Sequence, residues 1–411
     1  MKRLLVLFFA LAIAAGLVVH GQTMPGLLGV NGTDAFFDDS VVHDIRLDLN
    51  ERDWQSLKEH FRENTYYPAD FRWRDQVVRN IGIRSRGQAS RSGTKPALRL
   101  DFNRFTTGQT FLGLKSAILK NNVTDASNMH ERLSMALMRR MGVPASREAH
   151  ARLFINGAYV GVYTLVESID KDFLRRMFNE NDGYLFEYEW AFPYYFTDRG
   201  TNPSAYVPSP FKPQTHEDDP RPEEVVELVQ TVNHSPNFFA EIATYLDLKK
   251  FLRQIAVETF LADSDDFLGD LGMANFYLYR FENKKLFTFI AWDKSEAFTS
   301  PLFSIWQHIR GVDREHTNQL VARALESPDL YNFYLDTLLE CVRSINEPGT
   351  ADPRGWMERE IDRIDAQVRD ATFNDPVKPF ANGQYDQALS AMREFAQRRG
   401  AFVTEEVNAS R

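Results

Sequence analysis

Cysteine is all but missing from this chain of 411 residues: Cys341 stands alone. No intramolecular disulfide can form, so the core must hold the fold without cross-links. Its setting, Leu338-Leu339-Glu340-Cys341-Val342, is apolar and reads as a buried structural thiol rather than a nucleophile. The histidines, among them His43, His60, His130, His150, His308 and His316, show no H-x-x-x-H or other ligand spacing, which argues against a zinc enzyme. A G-x-S-x-G element is absent as well, removing the simplest serine-hydrolase reading. Basic residues fall short of acidic ones, 48 against 57, and the net charge of −9 argues against nucleic acid as a general partner.

One apolar run breaks the otherwise mixed pattern. Lys2 and Arg3 precede an uncharged stretch from Leu4 to Val19, followed by His20 and Gly21. Residues 1–21 therefore read as a secretory signal with a cleavage site at Val19-His20-Gly21; the alternative is an uncleaved anchor. No Cys lies near that site, which removes the lipoprotein version. The protein is expected to be exported, to the periplasm, cell surface or beyond, with no integral membrane span once the signal is removed.

The remainder has the composition of an ordinary globular protein, 43% hydrophobic and 26% charged. Residues 22–38 read as a linker. Residues 39–166 carry strand signals: alternation in Val42 to Leu49, in Phe71 to Arg86 and in Lys95 to Phe102, and a hairpin through Asn156-Gly157. One helix is expected there, Asn128 to Met141, with Met129, Leu133, Leu137 and Met141 on one face and Gly142 with Pro144 as its stop. Residues 167–411 read as mainly helical, interrupted by a Pro-rich surface loop at 194–222. The fold class is thus α+β, a β-rich front and a helical rear.

Two features carry chemistry. From Arg72 to Arg104 nine cations face two acids, Asp75 and Asp101, a local reversal of charge that suggests an anion site; arginines on the wet face of a sheet are the alternative. Further on, Asp263, Asp265, Asp266 and Asp270 crowd before Asn275, which opens the strand Phe276 to Arg280; a second strand, Phe289 to Trp292, ends on Asp293. Asp270 to Asn275 has the D-x-x-x-x-N spacing of a phosphoryl-transfer loop, in which a carboxylate takes the hydroxyl proton while an Asn and an Asp hold magnesium.

In order along the chain, Arg84-Ser85-Arg86-Gly87-Gln88-Ala89-Ser90, the strand from Lys95, Asn156 to Tyr163, Leu165-Val166-Glu167 and the Asn275 to Asp293 hairpin resemble the spore-coat protein H (CotH) kinase family, from about residue 40 to about 345. The resemblance implies an atypical bilobal protein-kinase-like fold, ATP with magnesium or manganese, and phosphorylation of Ser or Thr on an envelope or extracellular protein. It also implies roles. Lys95 would meet the α/β-phosphates, Glu131 would orient that lysine, and Glu167 would mark the hinge beside adenine. Arg84 and Arg86 would replace the glycine-rich loop, which the sequence lacks. Asn275 and Asp293 would hold the metal.

Several readings stay open. Asn128-x-x-Glu131 is also a capping box, and Glu167 is also an ordinary strand-end acid. The base is Asp270 by spacing, or Asp265 or Asp266 by the context Asp265-Asp266-Phe267. The family writes W-D-x-D where this chain has Trp292-Asp293-Lys294-Ser295. A kinase-like surface binding module without transfer activity, presenting Trp190, Tyr194 and Tyr195, is therefore the rival.

Overall fold

Alternating apolar and polar residues in the first part of the chain close into a barrel. The computed structural model describes residues 32–411 except Arg314, so the expected signal at 1–21 and the first part of the linker lie outside the described residues. A short helix α1 (Gly32–Phe36) leads into β1 (Val42–Asp48), followed by α2 (Glu51–Glu59), β2 (Tyr67–Trp73), β3 (Gln76–Ser85), β4 (Leu98–Asp101), β5 (Ser116–Lys120), α3 (His130–Arg140), β6 (Glu148–Ile155) and β7 (Ala158–Glu167). The strand order is β1-β2-β3-β4-β5-β7-β6, and the barrel closes because β6 runs parallel to β1, from Val42↔His150 to Leu47↔Ile155.

The period of two decides what fills it. Ile45 and Leu47 of β1, Ile81 and Ile83 of β3, and Leu98 and Leu100 of β4 point inward and are fully buried. Asn156 and Gly157 both have positive φ, 50° and 82°, which suits the tight β6–β7 hairpin. Phe36, Phe71, Trp73 and Phe111 pack edge to face at one end of the barrel, with Phe71 and Phe111 4.8 Å apart. Residues 32–37, read from sequence as linker, are thus part of the core: Phe36 and Phe37 are buried in it.

The second part follows as α4 (Lys171–Phe178), β8 (Tyr184–Tyr188), β9 (Phe211–Pro213), α5 (Pro222–His234), α6 (Phe238–Glu241), α7 (Leu248–Phe260), β10 (Phe276–Arg280), β11 (Phe287–Ala291), α8 (Gln319–Ala324), α9 (Pro328–Ile345), α10 (Trp356–Phe373) and α11 (Asn382–Ser410). Four strands form a sheet in the order β11-β10-β8-β9. Every residue of β10 is buried because both faces are covered. Phe276, Leu278 and Phe289 face the helical core, while Tyr277, Tyr279, Ile290 and Trp292 pack with Ile118 and Val166 of the barrel. That sandwich explains the unbroken apolar runs of the hairpin. Among the described residues no helix is long and apolar enough to cross a membrane.

The Pro-rich segment is more ordered than its composition suggests. It holds a 3₁₀ turn at Pro203–Ala205 and the edge strand β9, where proline is tolerated because one side of the strand needs no ladder partner. Tyr194, Phe196, Tyr206 and Phe211 are buried, so Tyr194 offers no exposed patch. Trp190 is half-buried, its indole N–H donating to Leu271 O at 3.0 Å.

Candidate active site

The β10–β11 register brings two strand ends together. Phe276 pairs with Ala291, and the Trp292 N–H donates to Asn275 O at 3.0 Å, so Asn275 and Asp293 flank the same end of the hairpin. Both have left-handed backbone, φ 56° and 45°. Asn and Asp accept that conformation more readily than other residues with a side chain.

Asp265 sits beside them. The Asn275 side-chain amide donates to Asp265 O at 2.7 Å and to Asp265 Oδ2 at 2.9 Å. Two acceptors on the nitrogen fix the amide's orientation and leave its Oδ1 available. The Asp265 N–H donates to Asp263 Oδ1 at 3.1 Å, which braces the loop. Burial, then the charges of Asp263 and Asp293, push the Asp265 carboxyl up to about 6, against the pull of the Asn275 hydrogen bond. A base titrating there is ionised at neutral pH and still holds a proton well.

Asp270 is elsewhere. Its side chain is 60% exposed, with Oδ1 3.0 Å from His308 Nε2. The spacing argument is corrected on this point: D-x-x-x-x-N counts residues, but the loop turns back at Gly269 to Gly272 and carries Asp270 away from Asn275, leaving Asp265 in contact with it.

A lysine does meet Asp293, and it is Lys120, the last residue of β5. Its Nζ lies 2.8 Å from Asp293 Oδ1 and 2.6 Å from Glu131 Oε1. Burial would lower the Lys120 pKa, but the neighbouring acids, Asp293 first, raise it above the ordinary value. Burial likewise raises Asp293; Lys120, Arg86 and the Ser295 hydroxyl outweigh that and hold it at about 2. The Ser295 Oγ donates to the same Oδ1 at 3.0 Å, so Asp293 Oδ2 is left free.

Glu131 is placed by what the capping box does not do. The Asn128 side chain is engaged with Asn122 and Thr372, and the first N–H of α3, that of His130, donates instead to Asp125 Oδ2 at 2.8 Å. Glu131 is thereby released to face the cleft, where its Oε2 also accepts the Lys294 N–H at 2.7 Å. Behind it lies Glu148, fully buried; burial and the adjacent Glu131 raise its carboxyl well above the usual range.

Lys95 is a correction. Its side chain is 2% exposed and its Nζ lies 2.7 Å from Asp375 Oδ2, so it neither faces the cleft nor pairs with Glu131. Residues 95–97 precede β4 and dip into the barrel mouth instead of continuing the alternation. Asp375, just past α10, also accepts the Val162 N–H at 3.0 Å. Gly161 makes that approach possible, because a Cβ there would overlap the carboxylate. The pair ties the C-terminal helices to the barrel.

The arginines divide. Arg86 stacks 5.5 Å over the Trp292 ring and lines one cleft with Ser90, Lys120, Thr124, Glu131 and Asp293. Arg84 turns away, donating to Asn64 Oδ1 and Ser85 O, both at 2.9 Å. Glu167 is engaged within the protein. Its carboxylate meets Arg147 at 2.7 Å and Arg176 at 2.6 Å, its N–H donates to Arg147 O, and its carbonyl accepts the Ser146 hydroxyl. Its carboxylate and N–H are committed within the protein, so the side chain is a structural one; the carbonyl alone keeps a second lone pair.

Sequence reasoning passed over two lysines. Lys120 had a signal, since it ends the apolar run Ala117-Ile118-Leu119 a few residues before the helix carrying Glu131. Lys294 had none; it is fully buried, 3.1 Å from both Glu258 Oε1 and Asp263 Oδ2. It underpins Asp263, which in turn holds the Asp265 backbone.

Among the described residues no group of three or more His, Cys, Asp or Glu is placed to hold a metal ion. Asn275 Oδ1 and Asp293 Oδ2, on residues that flank the same end of the hairpin, are neutral and anionic oxygens of the kind hard divalent cations take.

Comparison with known proteins places this chain in a family. The model of the CotH kinase protein family matches residues 83–403, beginning within β3 and running into α11. The inner spore coat protein H of Bacillus subtilis (strain 168) is 23% identical over 366 residues, covering 88% of this chain and 97% of that protein. Among solved structures, the proinflammatory kinase CtkA of Helicobacter pylori aligns over 77% of this chain and 95% of its own, at 10% identity and a TM-score of 0.31. The family match spans the barrel strand carrying Lys120, the helix carrying Glu131 and the whole Asp265–Asp293 region: this chain is a kinase-like protein and belongs to the CotH kinase protein family.

Proposed function

We propose that this protein transfers the γ-phosphoryl group of ATP to a Ser or Thr hydroxyl of a protein substrate outside the cytoplasm. The observation that carries the reading is the convergence of Lys120, Glu131 and Asp293 in one cleft, with Asp265, held by Asn275, near enough for the Asp293 charge to act on it. Family membership implies ATP and a divalent metal in general terms. In a two-lobed kinase-like arrangement the barrel is the N-terminal lobe and the helical part with its sheet the C-terminal lobe.

The residues present fit those groups. Asn275 Oδ1 and Asp293 Oδ2 have no competing partner among the described residues and would hold magnesium or manganese, which when bound neutralises phosphate charge. Lys120 and Arg86 would hold phosphate oxygens, the first as a point charge and the second as a planar fork. Glu131 orients Lys120. Asp265 accepts the proton of the substrate hydroxyl; Asn275 fixes one of its oxygens and leaves the other to face the incoming group. Export is supported by the Lys2-Arg3 start and apolar run to Val19, and by the coat protein among the relatives.

Ser295 favours a second reading. It stands where the family pattern has a second acid, and its hydroxyl occupies Asp293 rather than adding a charge. A kinase-like binding module is what remains if transfer has been lost. Incubating residues 22–411 with γ-labelled ATP and magnesium or manganese separates the two. Metal-dependent labelling of the protein itself or of an added Ser/Thr protein supports the kinase; ATP binding without labelling at any metal concentration supports the binding module.

A further inference from the structure

A second cavity is lined by the loop that follows Asp265, and it shares no lining residue with the Lys120 cleft. The loop folds back on itself: the Asp270 N–H donates to Ser264 O at 2.8 Å, and the Gly272 N–H to Gly269 O at 3.0 Å. Gly269 consequently packs on the Asp265 backbone so closely that a Cβ would lie 3.2 Å from Asp265 Cα. The same short loop thus carries the proposed base and, through Phe267 to Asp270 and Gly272, lines the cavity.

The cavity is built for an apolar group. Phe267, Leu268, Val312 and Tyr195 form its apolar sides, Gly269 and Gly272 add only backbone, and Asp270, His308, His316 and Asn318 complete the lining. Its volume of about 150 Å³ matches the size of cavity that takes a benzene-sized group. At its edge Leu271 is 63% exposed, an unusual state for leucine, and it is held there by the Trp190 indole bonded to its carbonyl. The Trp190 carbonyl in turn accepts the Gln88 side-chain amide at 3.2 Å, from the segment that also carries Arg86. The two acids at the rim already face imidazoles, Asp270 Oδ1 at 3.0 Å from His308 and Asp313 Oδ1 at 2.7 Å from His316. An apolar side chain entering between Phe267, Leu268 and Val312 displaces only water.

We infer that this cavity is a substrate-specificity site: it takes a leucine-, methionine- or phenylalanine-like side chain of an extended segment of the protein substrate, within a few residues of the hydroxyl presented to Asp265. The inference rests on the phosphoryl-transfer reading and deepens it by naming a feature of the substrate.

The probes are nine-residue peptides with one central Ser in an Ala-based sequence, carrying Leu, Phe, Lys or Glu singly at each of the three positions on either side. Binding is read by fluorescence anisotropy without ATP, and phosphorylation by mass spectrometry with ATP and metal. At one position Leu and Phe should bind and react at least about tenfold better than Ala, the discrimination a hydrophobic pocket supplies. Val312→Trp, which fills the cavity, should bring that ratio near one. Leu271→Asp, at an exposed position that the fold tolerates, should lower it too. Equal use of all peptides, a preference for Lys instead, or a folded Val312→Trp that keeps the Leu preference would overturn the assignment. Leu-selective binding without phosphate transfer would sustain the cavity and sink the transfer reading; transfer with no positional preference would do the reverse.

Discussion

Lys120 Nζ stands 2.8 Å from Asp293 Oδ1, joining the last residue of a barrel strand to a residue two positions past the β10–β11 hairpin. This one contact brings the two parts of the chain together around charge rather than apolar surface. Its counterpart, Lys95 with Asp375, does the same task deep in the protein, with neither partner accessible. Two lysines with opposite roles give the first two predictions.

Replacing Lys95 with Met should cost stability and spare chemistry. Removing one partner of a buried pair leaves an uncompensated charge, here Asp375, at a cost of roughly 3–5 kcal/mol. Urea denaturation of Lys95→Met should show that loss in the midpoint. The double variant Lys95→Met/Asp375→Leu should recover part of it, since it removes the orphan charge but leaves the Val162 N–H unpaired. A double variant no more stable than the single one would mean the pair has another role.

Asp265→Asn should lower phosphate transfer by about a hundredfold or more, the scale of losing a general base. Asp270→Asn should change turnover on an unselective substrate little, because Asp270 touches His308 and not Asn275. The kinetic comparison at saturating ATP decides between them. Full activity in Asp265→Asn with a dead Asp270→Asn would reinstate the spacing argument.

The same aspartate sets a pH dependence. With its carboxyl raised to about 6, the free enzyme should lose kcat/KM as pH falls below about 6, one proton switching off the base. Stability runs the other way. The folded pKa exceeds the unfolded one, so the group's stabilising contribution is complete below the unfolded value near 3.8 and is lost as pH rises through about 6. Asp265→Asn should therefore melt higher than wild type at pH 8 and at nearly the same temperature at pH 4. An Asn variant that melts lower at pH 8 would show that the carboxylate is not under strain in the fold.

Asp293→Ala should abolish metal-dependent transfer and leave the fold nearly intact, because Glu131 still holds Lys120 at 2.6 Å. Circular dichroism with a transfer assay checks both halves. Equal transfer by wild type and a folded Asp293→Ala would remove this residue from the metal site.

Much of the architecture was legible, and the reasons for the exceptions are local. The barrel strands β1 and β3 and the hairpin at Asn156-Gly157 show the period of two or a turn dipeptide with a direct physical meaning. The Asn275–Asp293 hairpin was visible because both its faces are buried and both its ends are polar. Lys95 misled because alternation assigns a face only inside a strand, and it lies just before one. Asp270 misled because sequence spacing does not see a loop that reverses at glycines. Lys294 was invisible: its partners Glu258 and Asp263 come from the end of α7 and the turn after it, and no local pattern announces a lysine in a core.

The most direct measurement is the thermal midpoint with and without ATP and magnesium or manganese, for wild type, Lys120→Met and Lys95→Met. If the Lys120 cleft is the nucleotide site, ligand at about a hundred times its dissociation constant stabilises the wild type by roughly 2.7 kcal/mol, and its midpoint rises. Lys120→Met should lose most of that rise; Lys95→Met should start lower and keep it. An ATP-induced rise retained in Lys120→Met and lost in Lys95→Met, or no rise in the wild type at millimolar ATP with either metal, would contradict the placement of the site.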